Sequence, residues 1–311
     1  MTYEKPFFLA SNIEDTKPFK SFDADTQKQI LQLREHGYCI FKPEIGAETI
    51  DKAVDDCNEL YNKTDYKGAG NSRVQNAFRT SPSVKSIATN KGILDLLRAA
   101  FGKEPFPFQT LNFNVGSQQE THSDSIHFNS FPFGFMCGVW VAFESIDEEN
   151  GPLHYYPGSH KLPFFGMEEL GIHGSEEREA YSFYSEYENH VKSLIATSGL
   201  KKETVKMEKG DCLIWAANLL HGGEPILDEA RSRHSQVTHY YFEDCLYYTP
   251  LRSSLLKREV FVRRPYNILS GKKISLLAQR RFAKAAGIGI DGIRASAAKI
   301  EIKRFLRRLG L

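Results

Sequence analysis

The chain has 311 residues, 41% of them hydrophobic and 12% aromatic, enough apolar material for one large core or two modest ones. Charged residues make up 25% and the formal net charge is +1, which excludes global disorder and gives no overall field to recruit nucleic acid. The best apolar run, around Phe135 to Phe143, is far too short to span a bilayer.

Read in chain order, Met1 to Pro6 lacks the basic-then-apolar order of a signal peptide. The stretch 1–104 reads as mainly helical. Asp25 to His36 places Ile30, Leu31 and Leu33 near one face and stops at Gly37; a short strand, Tyr38 to Phe41, follows. Ile50 to Tyr61 and Pro82 to Phe101 read as further helices, the second broken near Asn90-Lys91-Gly92. From Pro105 the texture changes to short runs of Phe, Val, Trp and Tyr between Gly, Pro and Asn turns. Phe108 to Val115, Phe135 to Phe143, Leu153 to Tyr156, Cys212 to Trp215 and Gln236 to Phe242 are the expected strands. Such a series predicts a mainly β fold of the jelly-roll, cupin-like kind over 105–245, with flanking helices, inside a single domain spanning 1–262. Glu168 to Leu200 is polar and partly helical, an insertion on the rim. There is no internal repeat. The five cysteines, Cys39, Cys57, Cys137, Cys212 and Cys245, are scattered without CxxC spacing and read as reduced, buried thiols of a cytoplasmic protein.

The segment 263–311 differs again. Of the 40 basic and 39 acidic residues it holds thirteen and two, leaving 27 and 37 before it. Ile293, Ala297, Ile300, Phe305 and Leu309 recur at roughly helical spacing, so a basic helical C-terminal extension is expected. It packs on the barrel or on a second subunit, or it makes peripheral contact with an anionic membrane surface or a lipid-linked substrate.

The informative chemistry begins at Thr121-His122-Ser123-Asp124. In a strand, residues two apart share a face, so His122 and Asp124 can offer an imidazole and a carboxylate to one point. About a hundred residues later, Lys209 to Trp215 leads through Leu219-Leu220 to His221, which closes an apolar run and opens a glycine turn at Gly222-Gly223. Two His and one carboxylate on one face of an octahedral ion leave open positions, which suits non-haem Fe(II) oxygen chemistry; no Cys ligand of a zinc site is on offer. Twelve residues further stands Arg233, on the next strand. Inside a barrel an unpaired Arg is costly, and a dicarboxylate co-substrate paired with the guanidinium, assisted by the Ser235 hydroxyl, would offset that cost. A rim Arg paired with a protein carboxylate is the competing reading.

His122-Ser123-Asp124, Gly138 to Phe143, Glu149 to Leu153, Pro157 to Lys161, His221-Gly222 and Arg233 with its strand resemble the phytanoyl-CoA dioxygenase family, in the family's order, over about residues 35 to 245. The resemblance implies a double-stranded β-helix, Fe(II), 2-oxoglutarate as co-substrate and O2. Carried over position by position, His122, Asp124 and His221 match the iron ligands, and Arg233 matches the anchor of the far carboxylate of 2-oxoglutarate. Trp140 falls where the family places an aromatic beside it, and Asn112 resembles an Asn of ectoine hydroxylase-like members that reaches the same pocket. Gly223 departs from the pattern, several members having Ser there. Asp124 is informative too, since related halogenases replace this carboxylate with a small residue.

The expected activity is therefore hydroxylation, or another oxidation, of a C–H bond of a small-molecule substrate, with release of succinate and CO2. A non-catalytic cupin-like binding protein and a metal-dependent hydrolase or isomerase are the alternatives; the second leaves Arg233 without a role. His127 either lines the substrate pocket or sits on an exposed loop. His160 reads as a turn residue, His234 as facing away from the site, and Trp215 and Phe128 to Phe135 as packing.

Overall fold

The N-terminal helices begin and end where the sequence supplies caps. The computed structural model describes residues 5–62, 73–166, 170–171, 184–253, 259–285 and 292–293. After a short helix α1 (Lys17–Ser21), α2 (Ala24–His36) starts at Asp23, whose carboxylate accepts the Thr26 N–H at 2.8 Å. It ends at Gly37 in the left-handed region, φ 84°. Strand β1 (Tyr38–Phe41) leads to α3 (Ala47–Tyr61), which buries Ile50, Ala53, Cys57 and Leu60 at helical spacing. Beyond β2 (Arg73–Gln75), the expected Pro82 to Phe101 helix is two helices, α4 (Pro82–Ala88) and α5 (Lys91–Phe101). Asn90 makes the break: its side chain accepts the Ile93 N–H at 3.1 Å and so starts a new helix.

The remainder is mainly strand: β3 (Pro105–Phe113), β4 (Asn129–Phe131), β5 (Met136–Ala142), β6 (Leu153–Tyr155), then helix α6 (Tyr184–Ser198). There follow β7 (Glu203–Thr204), β8 (Cys212–Ala216), β9 (His221–Gly223), β10 (Ser235–Phe242) and β11 (Leu246–Tyr248). The longer strands fall within three residues of their predicted bounds. They form a six-stranded antiparallel sheet in the order β1-β8-β5-β10-β3-β2, a three-stranded sheet β7-β6-β9, and a β4/β11 pair.

Every residue of β5, β8 and β10 is buried because the large sheet is covered on both faces. One face lies on the helices, where the Tyr240 hydroxyl donates to the Ala88 carbonyl at 2.8 Å and the Gln236 amide to that of Val84 at 3.2 Å. The opposite face carries Leu111, Trp140, Leu213 and Val237, and a second apolar cluster forms there. Between His239 and Tyr240 the register on β3 jumps from Gln109 to Pro107, a bulge that leaves Phe108 as the extra residue. All five cysteines are free and buried.

Past residue 253 the described chain folds back on this sheet. Short strands β12 (Glu259–Val260), β13 (Tyr266–Asn267) and β14 (Lys272–Lys273) precede α7 (Leu276–Ala285). The Arg263 N–H donates to the Tyr247 carbonyl at 2.8 Å, and the Ile268 N–H to that of Pro107 at 2.9 Å. Gln279 on α7 accepts the Tyr247 N–H at 3.1 Å and donates to the Arg263 carbonyl at 2.8 Å. The start of the basic extension is thus packed on the domain. Ile293, placed above in a helical pattern, lies in β15 (Gly292–Ile293), paired with β12. Ala297, Ile300, Phe305 and Leu309 lie outside the described residues, as does 172–183 of the rim insertion. Among the described residues no helix is long and apolar enough to cross a membrane.

Candidate metal centre

His122 and His221 face each other because their backbones are directly paired. The His122 N–H donates to the His221 carbonyl and the His221 N–H to the His122 carbonyl, both at 2.9 Å. His122 therefore sits in an isolated bridge rather than the full strand expected for the His-x-Asp triplet, and Asp124 opens a 3-10 turn, Asp124–Ile126. Gly222-Gly223 is likewise strand, not turn: Gly222 pairs with His154. An added Cβ at Gly222 would stand 2.7 Å from the Gln119 carbonyl, and one at Gly223 2.7 Å from Ser117 Oγ and 2.8 Å from the Gln118 amide nitrogen. Both glycines are demanded by that close passage. The serine of other family members has no room at 223, and the Ser117 hydroxyl occupies the vicinity instead, lining the cavity.

One ligand atom each from His122, Asp124 and His221 lies within 4.8 Å of the others, with all three residues buried. His122 Nδ1 is 2.9 Å from the Glu120 carbonyl and His221 Nδ1 is 3.0 Å from the Leu219 carbonyl, each two residues back. A carbonyl only accepts, so both Nδ1 atoms carry the proton and both Nε2 atoms offer a lone pair, that of His122 accepting the Gln119 amide N–H at 3.2 Å. Those Nε2 atoms are 3.9 Å from the two oxygens of Asp124. Burial pulls His122 down to about 4 and lowers His221, so both rings are neutral at pH 7. Burial would raise Asp124, but the imidazoles of His239, His221 and His122 outweigh it and hold the carboxyl below its usual range. Two neutral imidazoles and one carboxylate, oriented before any ion arrives, form the donor set of a 2-His-1-carboxylate centre.

The triad lines a cavity of about 420 Å³ shared with Arg233 and Trp140. Arg233 precedes β10 and is 2% exposed. Its guanidinium lies 5.2 Å from the Trp140 ring centre and 5.5 Å from that of Phe113. Nη2 makes one long contact, to the Val115 carbonyl at 3.5 Å; among the described residues Nε and Nη1 are buried without partners. Among the described residues no carboxylate pairs with it, and burial pulls it down to about 10. A cation kept dry with two free donors fits an anionic ligand and disfavours the rim-ion-pair reading.

Two of the residues assigned to the co-substrate stand elsewhere. Asn112 is on β3 between the cavity-lining Leu111 and Phe113, so alternation turns it to the helical side, where its amide donates to Gln236 Oε1 at 3.2 Å. Ser235 shares the face of Val237 and His239, but its hydroxyl turns to the Arg233 carbonyl at 3.5 Å and does not reach the cavity wall. His160 is buried scaffold, its Nε2 3.2 Å from the Arg34 carbonyl, and His234 takes no part in the cavity. His127 lines the cavity beside the Tyr184 hydroxyl at 3.2 Å.

Three residues take unforeseen places. His239 lines the cavity with Nε2 3.5 Å from Asp124 Oδ2. Counting alternate residues along β10 from Val237 would have found it. Trp215, expected as packing, donates its indole N–H to Asp124 Oδ2 at 2.8 Å. Phe128, also expected as packing, is in the cavity wall with Arg263 above its ring.

A family model described as phytanoyl-CoA dioxygenase matches residues 33–235. A Caenorhabditis elegans homolog of phytanoyl-CoA dioxygenase domain-containing protein 1 is 23% identical over 169 residues, 51% of this chain and 54% of that protein. The Danio rerio protein of that name is 32% identical over 80 residues, 26% of each chain. The chain thus spans about half the length, or less, of the curated relatives it matches. Among solved structures, the epimerase SnoN in complex with Fe3+, alpha ketoglutarate and nogalamycin RO aligns with a TM-score of 0.55 at 18% identity, covering 81% of this chain and 96% of that one. EctD from S. alaskensis with 2-oxoglutarate and 5-hydroxyectoine aligns at 0.55 and 15%, covering 76% and 82%. The carbocyclase SnoK from nogalamycin biosynthesis aligns at 0.53 and 17%, covering 83% and 95%. These likenesses establish a common fold.

Proposed function

The chain belongs to the phytanoyl-CoA dioxygenase family, and on that footing we propose that it is an Fe(II)- and 2-oxoglutarate-dependent dioxygenase that hydroxylates a C–H bond of a small molecule. The large and small sheets are read as the two halves of a double-stranded β-helix, within one oxygenase domain over 1–262. The observation that carries the proposal is Arg233: a buried guanidinium with Nε and Nη1 unpartnered, in the same cavity as a His-Asp-His group. A metal-dependent hydrolase or isomerase on this scaffold would leave that buried charge without a role.

His122, Asp124 and His221 would hold the iron, and Arg233 would pair with the far carboxylate of 2-oxoglutarate, with the Trp140 ring beside it. When bound, iron and 2-oxoglutarate supply the oxidising power for O2 chemistry, with succinate and CO2 released. The protein supplies placement. Backbone carbonyls fix both imidazole tautomers, and the Trp215 N–H holds one carboxylate oxygen. The substrate would enter the same cavity beside His127 and His239.

Anaerobic titration of the protein with Fe(II) and then 2-oxoglutarate tests this. A weak visible charge-transfer band is expected, diminished in Arg233→Ala. Metal binding without such a band would refute the oxygenase reading and favour a binding or hydrolytic role. Product analysis after O2 admission separates hydroxylation from epimerisation or ring closure.

A further inference from the structure

We propose that the substrate carries an oxyanion, a carboxylate or a phosphate, which docks on Arg263 at the end of the cavity lined by Gln109, His127 and Thr249. The inference rests on the oxygenase reading, which assigns Arg233 to the co-substrate and leaves Arg263 for the substrate. Arg263 lines the cavity from beyond the 33–235 stretch that matches the family model.

The charge balance of the wall points to an anion. Its lining residues include three arginines, Arg73, Arg233 and Arg263, against a single acid, Asp124. A divalent iron and the dianion of 2-oxoglutarate cancel, and Asp124 offsets Arg233. Among the described residues, Arg73 and Arg263 then remain without a compensating acid. Neither has a carboxylate partner among the described residues.

Geometry selects Arg263 as the docking point. Its guanidinium sits 4.6 Å from the centre of the Phe128 ring, which fixes its plane. One N–H, on Nη1, donates to Thr249 Oγ1 at 3.0 Å, while Nε is buried with no partner. Its backbone is held on both sides, by the Tyr247 carbonyl and the Gln279 amide. A planar fork of donors held in place and left partly unsatisfied matches an oxyanion, the ligand a guanidinium binds bidentately. Arg73 stands on β2 opposite Phe113, beside the Arg233 end, so the two uncompensated cations mark opposite ends of the cavity. Asp124 and the two ligand histidines line the same cavity, where a substrate tethered by its anion would present a C–H bond.

Calorimetric titration of the metal-free protein with inorganic phosphate and with butyrate tests the proposal. At least one probe should bind with unit stoichiometry to the wild type and to Arg233→Gln alike. Arg263→Gln should weaken it on the order of tenfold or more, and Arg263→Lys less, since the charge is kept and the fork lost. The stronger probe identifies the anion class. Equal affinity in Arg263→Gln and wild type overturns the proposal, as does binding lost only in Arg233→Gln, or failure of both probes to saturate at millimolar concentration. A separate titration of Zn(II)-loaded protein with 2-oxoglutarate keeps the two readings apart. Retention by Arg263→Gln shows that the variant is folded, whereas failure of the wild type to bind overturns the oxygenase reading whatever phosphate does.

Discussion

Replacing Gly138 with alanine is expected to weaken metal binding although Gly138 offers no ligand. Gly138 on β5 is paired with Trp215 on β8, and the indole lies across it. A Cβ added at Gly138 would stand 2.1 Å from Trp215 Cζ2 and 2.2 Å from Cε2, far inside contact distance, so the ring must move. Moving it breaks the 2.8 Å bond from the indole N–H to Asp124 Oδ2. A buried hydrogen bond to a charged group contributes about 1.5–3 kcal/mol, and outer partners of metal ligands typically change affinity by roughly tenfold to a hundredfold. Overpacking adds a stability cost of about 1–3 kcal/mol. Trp215→Phe removes the same donor without crowding the site, so it should match Gly138→Ala in metal affinity while differing in stability. Because both changes break one bond, the double variant should fall short of the sum of the singles. Competition of Zn(II) between protein and a chromogenic chelator, with thermal unfolding of the metal-free forms, measures both effects. Wild-type metal affinity in Gly138→Ala, or full additivity with Trp215→Phe, would refute the reasoning.

Arg233→Met should abolish 2-oxoglutarate binding yet raise the melting temperature of the ligand-free protein, because a desolvated, unpaired cation is replaced by an apolar chain; a lowered melting temperature would show that Arg233 is satisfied without a ligand. Burial pulls His122 and His160 down to about 4 and His127 to about 3, below the ordinary value of 6.5. Above 6.5 these rings are neutral folded or unfolded; below it the unfolded chain takes up protons that the folded one refuses. Stability of the metal-free protein should therefore fall from pH 6.5 toward pH 4, by on the order of 1 kcal/mol per pH unit for each ring, and urea unfolding curves that superimpose at pH 7 and 5 would contradict this. Gly223→Ser should destabilise the protein and disturb His221, since its Cβ meets Ser117 Oγ and the Gln118 backbone; the check is denaturant unfolding together with metal titration, and unchanged values in both would sink the steric argument.

What the sequence displayed of the site was whatever is carried by local spacing. His122 and Asp124 two apart, His221 before paired glycines, and Arg233 after them could be read directly, and the structure brings the first three together beside the fourth. The longer helices and strands were legible because signals such as the Gly37 stop, the break at Asn90 and the β-rich runs between turn residues are written within a few residues. Residues whose roles depend on distant pairing were not. Trp215 reaches Asp124 only because β8 lies beside β5 with a glycine opposite it. Asn112 and Ser235 illustrate the reverse: both are plausible by position, but Asn112 is turned away by its place in the β3–β10 pairing, and the Ser235 hydroxyl turns to the Arg233 carbonyl. Arg263 belonged to a run of basic residues that gave no hint that its first member returns to the cavity.

The mutual backbone pairing of His122 and His221 also governs when the site can come into being. Those two amides close a loop of about a hundred residues, an entropic cost of roughly 4 kcal/mol that is met only as the distant strands dock. Iron has no partly formed cradle to seize early in folding, so added metal should slow unfolding without accelerating the search for the fold. The exchange of those two amide protons with solvent would then time the opening of the whole clasp.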